Sequence, residues 1–208
     1  MIHYEKVRVT FDGVDVLRDF DLSVDAGDKV LIYGKSGVGK STILKLLLGF
    51  ARPDAGAVYF EGRVLDKGLV WEVRKRVAYV SQDMDIGEGK VAGFIEDIMS
   101  YKANQDLNDL DSRMRRAMDL FELNRSILEK DMGDLSGGEK QRVGLTVAVL
   151  LGRGIYLLDE VTSAVDQEMK KKIVDYFAGL EGKTVLSVSH DVNWLEKDGF
   201  KVVRMGVG

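Results

Sequence analysis

The residues Gly34 to Ser41 read GKSGVGKS and match the pattern G-x-x-x-x-G-K-[ST] in full. They follow an apolar run, KVLIY, and open a segment with helical patterning, which is the context this motif needs. Gly34, Gly37 and Gly39 let the backbone curl, with Ser36 and Val38 between them, so that several N–H groups converge on phosphate oxygens. The following helix adds the positive end of its dipole. In this chemistry Lys40 neutralises the β- and γ-phosphates, the Ser41 hydroxyl is placed for Mg²⁺, and Thr42 supports a phosphate oxygen.

A second group lies far along the chain. The run IYLLDE ends in Asp159 and Glu160. Two acids at the carboxyl end of a buried strand sit where parallel α/β sheets bind ligands. Asp159 is expected to hold Mg²⁺ through water, and Glu160 to orient or deprotonate a water attacking the γ-phosphate.

A third stretch, DLSGGEKQR from Asp134 to Arg142, reads as another anion-binding helix start. Ser136 followed three residues later by Glu139 is also a capping box. The cap does not account for Gly137 and Gly138. Each costs a helix roughly 1 kcal/mol relative to alanine, so the expectation is that they bare the backbone to a phosphate.

The elements that must position these groups can be read coarsely. Residues 2–10 and 14–24 pattern as strands joined by FDG at 11–13. KVLIY, GAVYFEG, RVAYVSQ, GIYLLDE, KTVLSVSH and FKVVRM are further strands, and 40–48, 139–151 and 166–177 are helices. From 91 to 130 the pattern turns helical, with Leu110, Met114, Ala117, Met118 and Phe121 at the spacing of one face. Alternating strands and helices imply an α/β fold with a largely parallel sheet covered by helices. The first strands form an antiparallel β addition, and residues 84–135 form an inserted helical subdomain ending at the Ser136 motif, all within one domain spanning 1–208.

Composition narrows the function classes. Of 208 residues, 45% are hydrophobic, enough for a substantial core, and the net charge of −4 disfavours nucleic acid as a partner. The absence of cysteine excludes disulfides and thiolate metal sites. The N-terminus MIHYEKVRVTF is not a signal peptide, and no apolar run approaches the roughly 20 residues of a membrane span. Any membrane role is therefore expected to run through a partner.

Six ordered motifs, GKSGVGKST, VSQD, LSGGEKQR, IYLLDE, SAVD and SVSH, resemble the ABC (ATP-binding cassette) ATPase family across nearly the whole chain. The resemblance implies a P-loop NTPase fold, ATP and Mg²⁺ as ligands, and further roles. Phe11 stands where the family places an aromatic that stacks on adenine, a position also open to a strand-end core residue. Gln82 begins the loop that contacts Mg²⁺ or water and senses the membrane partner. His190 resembles the switch histidine that contacts the γ-phosphate. Asp166 resembles the aspartate of the loop that crosses the dimer interface, and it also suits a helix cap. The family geometry implies an ATP-dependent, head-to-tail homodimer in which Ser136, Gly137 and Gly138 close on the nucleotide held by the other copy. Two departures stand out. Val161 replaces a frequent proline, and Val147 an arginine. DEVTSAVD is similar to the small ATPases of bacterial metal (iron) exporters.

These readings lead to an ATP-hydrolysing subunit that powers transmembrane permease subunits from the cytoplasmic face of the membrane. The dock is expected at the groove beside Gln82, with Met84, Ile86, Phe94, Ile98 and Met99 as apolar surface or as subdomain core. The chain stops soon after its last strand, so a C-terminal regulatory domain of the kind some importers carry is not expected. A soluble ABC ATPase of cofactor (iron–sulfur) assembly is the alternative. DNA-repair and translation members fit less well, because there is no room for a long coiled coil and only one cassette.

Overall fold

Two long strands, β1 (Ile2–Phe11) and β2 (Val14–Val24), meet across the Asp12-Gly13 turn, where Phe11 pairs directly with Val14. Both turn residues have positive φ, 49° and 79°, the backbone sense that matches strand twist in a tight hairpin. The computed structural model describes residues 1–83, 88–104 and 109–206. After the hairpin come β3 (Lys29–Tyr33), α1 (Lys40–Leu47), β4 (Ala55–Phe60), β5 (Arg63–Val64), α2 (Lys67–Arg76) and β6 (Val77–Val80). Then follow α3 (Val91–Ser100), α4 (Leu110–Leu120), α5 (Gly137–Leu151), β7 (Ile155–Asp159), α6 (Gln167–Gly179), β8 (Thr184–Ser189), α7 (Val192–Leu195) and β9 (Lys201–Arg204). Short 3-10 turns occupy Lys102–Asn104, Arg125–Glu129 and Met132–Asp134.

The strands form two sheets. One is antiparallel, ordered β2-β1-β4-β5, and the other is wholly parallel, ordered β6-β7-β8-β3-β9. This is the expected α/β architecture with its antiparallel addition. Every residue of β7 and β8 is buried, as continuous apolar runs inside a doubly covered parallel sheet must be.

Helix α1 lies in the apolar cluster shared by the two sheets. Its Ile43, Leu44, Leu46 and Leu47 pack with residues of β1, β2 and β4 and with Val30, Ile32, Leu157, Leu186 and Val188 of the parallel sheet. Burying each such side chain is worth about 2 kcal/mol of transfer free energy. That packing, together with a bond from the Tyr4 hydroxyl to the Ile43 carbonyl at 2.8 Å, fixes the helix whose first residue is Lys40. The opposite side of the parallel sheet is covered by α5, α6 and α7 through Leu145, Ala148, Ile173, Phe177 and Trp194.

Residues from α3, α4, the 3-10 turns and one side of α5 share a third cluster, including Ile95, Met118, Ile127, Met132, Val143 and Val147. Helix α5 puts Val143, Val147 and Leu150 into this cluster, and it buries its other side as well. The expected face of α4 divides: Met118 joins this cluster, with Leu110 and Met114 packed against it, whereas Phe121 joins the cluster under the parallel sheet. Phe94, Ile98 and Met99 are half-buried against the third cluster, as core residues would be. Met84 and Ile86 lie outside the described residues.

Three local differences separate sequence from structure. The sequence reading leaves 65–75 without an element, yet α2 forms there, capped by Asp66, whose carboxylate accepts from the Leu69 amide at 2.8 Å. Only Leu69 and Val73 of that helix are buried, so its apolar periodicity is faint. The described residues between 91 and 130 hold two helices and two 3-10 turns rather than being uniformly helical. Helix α5 starts at Gly137, two residues before the expected Glu139, which places both signature glycines inside its first turn.

Candidate active site

The carboxyl ends of three adjacent parallel strands bring the site together. Tyr33 at the end of β3 pairs with Ser189 of β8, and Asp159 at the end of β7 pairs with Val188. The ladder runs one step further on each side. The Gly34 amide donates to the Ser189 carbonyl at 3.3 Å, and the Glu160 amide to the Val188 carbonyl at 3.0 Å. The phosphate loop, the acidic pair and His190 are thus set side by side before any side chain contributes.

The loop from Gly34 to Gly39 closes on α1 through Gly39, which has φ +92°. A Cβ on Gly39 would lie 2.5 Å from Val16 Cγ1 and 2.8 Å from the Val16 carbonyl, so β2 presses on the loop and only glycine fits. No side chain caps the start of α1. The Thr42 amide turns back to the Gly39 carbonyl at 3.1 Å, which leaves the Lys40 and Ser41 amides ahead of it for an anion, and the loop glycines leave the approach open.

Lys40 is buried, at 4% exposure. Its ammonium donates to the Gly34 and Lys35 carbonyls, each at 2.8 Å, and lies 3.0 Å from Glu160 Oε1. The other carboxylate oxygen of Glu160, Oε2, accepts from the His190 amide at 3.3 Å and is 2.9 Å from His190 Nδ1. The His190 side chain is itself 57% exposed and reaches toward solvent. Glu160 has φ +49°, a left-handed conformation that a glutamate adopts only under constraint.

Asp159 faces the start of α1. The Ser41 hydroxyl donates to its Oδ1 at 2.7 Å, and the Tyr79 hydroxyl to its Oδ2 at 3.3 Å. Burial pushes the Asp159 carboxyl above the ordinary carboxylate range, opposed by the bonds from Ser41 and Tyr79 and reinforced by the neighbouring Glu160 charge. Ser41 and Asp159 together present hard oxygen donors, the chemistry Mg²⁺ selects. A serine hydroxyl that donates its proton to a carboxylate keeps its lone pairs for a cation.

Phe11 and Gln82 line the same cleft, of about 270 Å³, as Ser36, Gly37, Gly39, Lys40, Ser41, Thr42 and Glu160. Phe11 is 50% exposed there, so it is not a core aromatic. Gly34 belongs to the same loop, and Val38 packs near it, with Cγ2 3.3 Å from the position of a Gly34 Cβ. A larger concavity, about 570 Å³, lies between the end of α1, β4 and α2. Two of its polar groups are committed to structure, since Asp66 caps α2 and Arg74 donates to the Leu48 carbonyl at 2.9 Å, and Arg52 and Lys67 line it as well.

Ser136, Gly137, Gly138 and Asp166 do not line the cleft. Ser136 and Glu139 form the expected capping box, with the Glu139 amide donating to Ser136 Oγ at 3.2 Å and the Ser136 amide to Glu139 Oε2 at 2.9 Å. The bond from Lys130 and that from the Ser136 amide hold the Glu139 carboxyl down at about 2. Asp166 caps α6 by accepting from the Met169 amide at 2.9 Å. A Cβ on Gly138 would stand 2.7 Å from the Ala164 carbonyl, whereas one on Gly137 would meet the Ala164 methyl at 3.7 Å. The sequence reading assigns both glycines to phosphate approach. Gly138 has a second reason within the chain, the close passage of the loop that joins Glu160 to Asp166. Tyr79 and Val16 escaped the sequence reading altogether. A tyrosine in an apolar strand signals core, and nothing local reports which carboxylate its hydroxyl reaches.

Comparisons with known proteins place this geometry. The family model described as ABC transporter matches residues 17–163. The ATP-dependent lipid A-core flippase of Escherichia coli (strain K12) is 33% identical over 214 residues, covering 99% of this chain and 37% of the flippase. The chain therefore spans little more than a third of that relative's length. Among solved structures, a dimeric ATP-binding cassette in a post-hydrolysis state, bound to ADP and Pi, superposes with a TM-score of 0.85 at 26% identity, covering 99% of this chain and 94% of that one. A bacterial Atm1-family ABC exporter with ATP bound gives 0.80 at 25% identity, covering 99% of this chain and 38% of the exporter. With a family model over most of its length, and a phosphate loop, acidic pair and histidine brought together at the ends of adjacent strands, the chain belongs to the ABC transporter family.

Proposed function

We propose that this chain is the ATP-hydrolysing, nucleotide-binding subunit of a membrane transporter, and that the cleft between Phe11 and Glu160 is its ATP site. The observation that carries the reading is the convergence of Lys40, Ser41, Asp159, Glu160 and His190 at the ends of adjacent strands. Phe11 stacks on the base at the mouth of the cleft. The amides between Gly34 and Thr42, with Ser36, Gly37, Val38 and Gly39 shaping the loop, cradle the phosphates, and Lys40 takes the charge of the terminal ones. Ser41 and Asp159 hold Mg²⁺, with Gln82 supplying a further polar contact. When bound, that ion acts as a Lewis acid on the phosphate oxygens. Glu160 holds the attacking water and accepts its proton, and His190 orients Glu160 through the 2.9 Å contact.

Residues 84–135 act as an inserted helical subdomain that carries Ser136 at its end. In a head-to-tail pair, Ser136, Gly137 and Gly138 of one copy close on the nucleotide held by the other, and Asp166 lies at the seam. Dimeric cassettes among the structural neighbours support this arrangement. No helix among the described residues is long and apolar enough to cross a membrane. Separate or additional transmembrane segments therefore supply the path, and the chain works on the cytoplasmic face. The exposed rings of Phe50, just past the end of α1, and Trp71, on α2, with the Arg74 guanidinium 4.6 and 5.1 Å from their centres, add apolar surface beside the helix that leads through β6 to Gln82.

The test is Lys40→Ala. Losing a charged phosphate contact lowers ATP turnover by roughly two orders of magnitude or more, equivalent to about 3 kcal/mol. Near-native phosphate release by this variant would sink the assignment of the site.

A further inference from the structure

Strands β6 and β7 run parallel with Tyr79 opposite Leu157. Parallel partners share a face, and side chains two apart on a strand share it too. Tyr79, Leu157 and Asp159 therefore point to the same side of the sheet, the side that packs on α1. The Tyr79 ring packs against that apolar cluster, and its hydroxyl emerges at Asp159.

Asp159 is 3% exposed, and its two oxygens are engaged from different elements, Oδ1 by Ser41 of α1 and Oδ2 by Tyr79 of β6. A carboxylate at a strand end can turn about its last bond. Two donors on different oxygens fix the plane of the group. A phenylalanine would fill the same apolar space, so packing alone leaves the hydroxyl without a purpose. Toward a carboxylate oxygen, a hydroxyl serves as the donor.

We propose that Tyr79 is a positioning residue for the metal site, whose hydroxyl holds the Asp159 carboxylate in the plane that Ser41 and a bound Mg²⁺ require. The inference rests on the reading of Ser41 and Asp159 as the metal pair. It assigns no chemistry to Tyr79 itself. Because Tyr79 lies on the strand that runs directly into Gln82, the hydroxyl also links the start of that loop to the metal carboxylate.

Outer partners of metal ligands typically alter metal affinity about 10–100-fold when removed. The bond here is long, so the low end applies. The experiment uses the full chain with one equivalent of a non-hydrolysable ATP analogue, and follows Mn²⁺ binding by electron paramagnetic resonance. Tyr79→Phe weakens Mn²⁺ about tenfold, while binding of the analogue in EDTA stays native. On an Asp159→Asn background, Tyr79→Phe has no further effect on Mn²⁺. Mn²⁺ affinity of Tyr79→Phe within twofold of native, beside a clear loss in Asp159→Asn, overturns the positioning role alone. An equal loss on both backgrounds overturns it too, since a general packing defect would behave that way. Native Mn²⁺ affinity in Asp159→Asn removes the metal-pair reading and the proposal with it.

Discussion

The Lys40 ammonium lies 3.0 Å from Glu160 Oε1, and the two side chains are only 4% and 7% exposed. With the Gly34 and Lys35 carbonyls, this contact uses all three N–H donors of the lysine. Phosphate oxygens arriving in the cleft therefore compete with Glu160 for Lys40. The carboxylate proposed to handle water and the ammonium proposed to handle phosphate charge are thus tied to one another through one oxygen of Glu160, while its other oxygen is held by His190.

Replacing Glu160 by glutamine keeps the shape and removes the charge and the base. ATP turnover is expected to fall by at least about 100-fold, with ATP binding retained. In the head-to-tail arrangement the unhydrolysed nucleotide then holds two copies together. Light scattering with ATP and Mg²⁺ should report a dimer, and persistent monomers at high protein concentration would count against that arrangement.

The signature glycines are expected to behave differently from each other. At Gly137 an added methyl meets only the Ala164 side chain at 3.7 Å, so Gly137→Ala leaves thermal stability unchanged or raises it. At Gly138 the same methyl meets the Ala164 carbonyl at 2.7 Å, and backbone must move. Gly138→Ala is expected to lose about 1–3 kcal/mol, as overpacked sites do. Paired thermal melts decide it, and a Gly138→Ala variant as stable as Gly137→Ala would mean that the loop yields freely.

Protonation of the α5 cap has a defined direction. Lys130 and the Ser136 amide hold Glu139 at about 2 in the folded chain, against an ordinary value of 4.5. A lowered folded pKa contributes stability above the unfolded value and loses it as pH falls toward the folded one. The stability gap between the native chain and Glu139→Gln is therefore full at neutral pH and narrows below about 4.5. Urea unfolding across that range measures the gap, and a gap that does not change with pH would contradict the assignment.

Phe11 projects into the cleft with half its surface exposed. Base–aromatic stacking is worth about 1–3 kcal/mol, so Phe11→Ala is expected to weaken ATP binding by roughly tenfold or more. Little of the ring is buried in the core, and the melting temperature should hardly move. Fluorescent-nucleotide titration checks the first point, and unchanged affinity would return Phe11 to a structural role.

Much of this site could be read from the sequence because its parts are local. The phosphate loop, the acids after IYLL and the SGGE cap each depend on residues within one turn or strand end. The buried strands β7 and β8 announce themselves as unbroken apolar runs, and their parallel order sets Asp159, Glu160 and His190 side by side. What escaped was long-range or weakly patterned. Helix α2 buries two residues and exposes Trp71, so its periodicity is faint. The Lys40–Glu160 pair, the Tyr79–Asp159 bond and the passage of Ala164 over Gly138 join residues whose nearness only the folded chain creates.

Glu160 holds a left-handed backbone, φ +49°, at the end of a fully buried strand. A side chain other than glycine in that region carries roughly 1–2 kcal/mol of strain. Asparagine or glycine would sit there more comfortably. A screen for heat resistance alone would therefore tend to discard the carboxylate proposed to activate water, and stabilising this fold by selection requires a simultaneous demand for turnover.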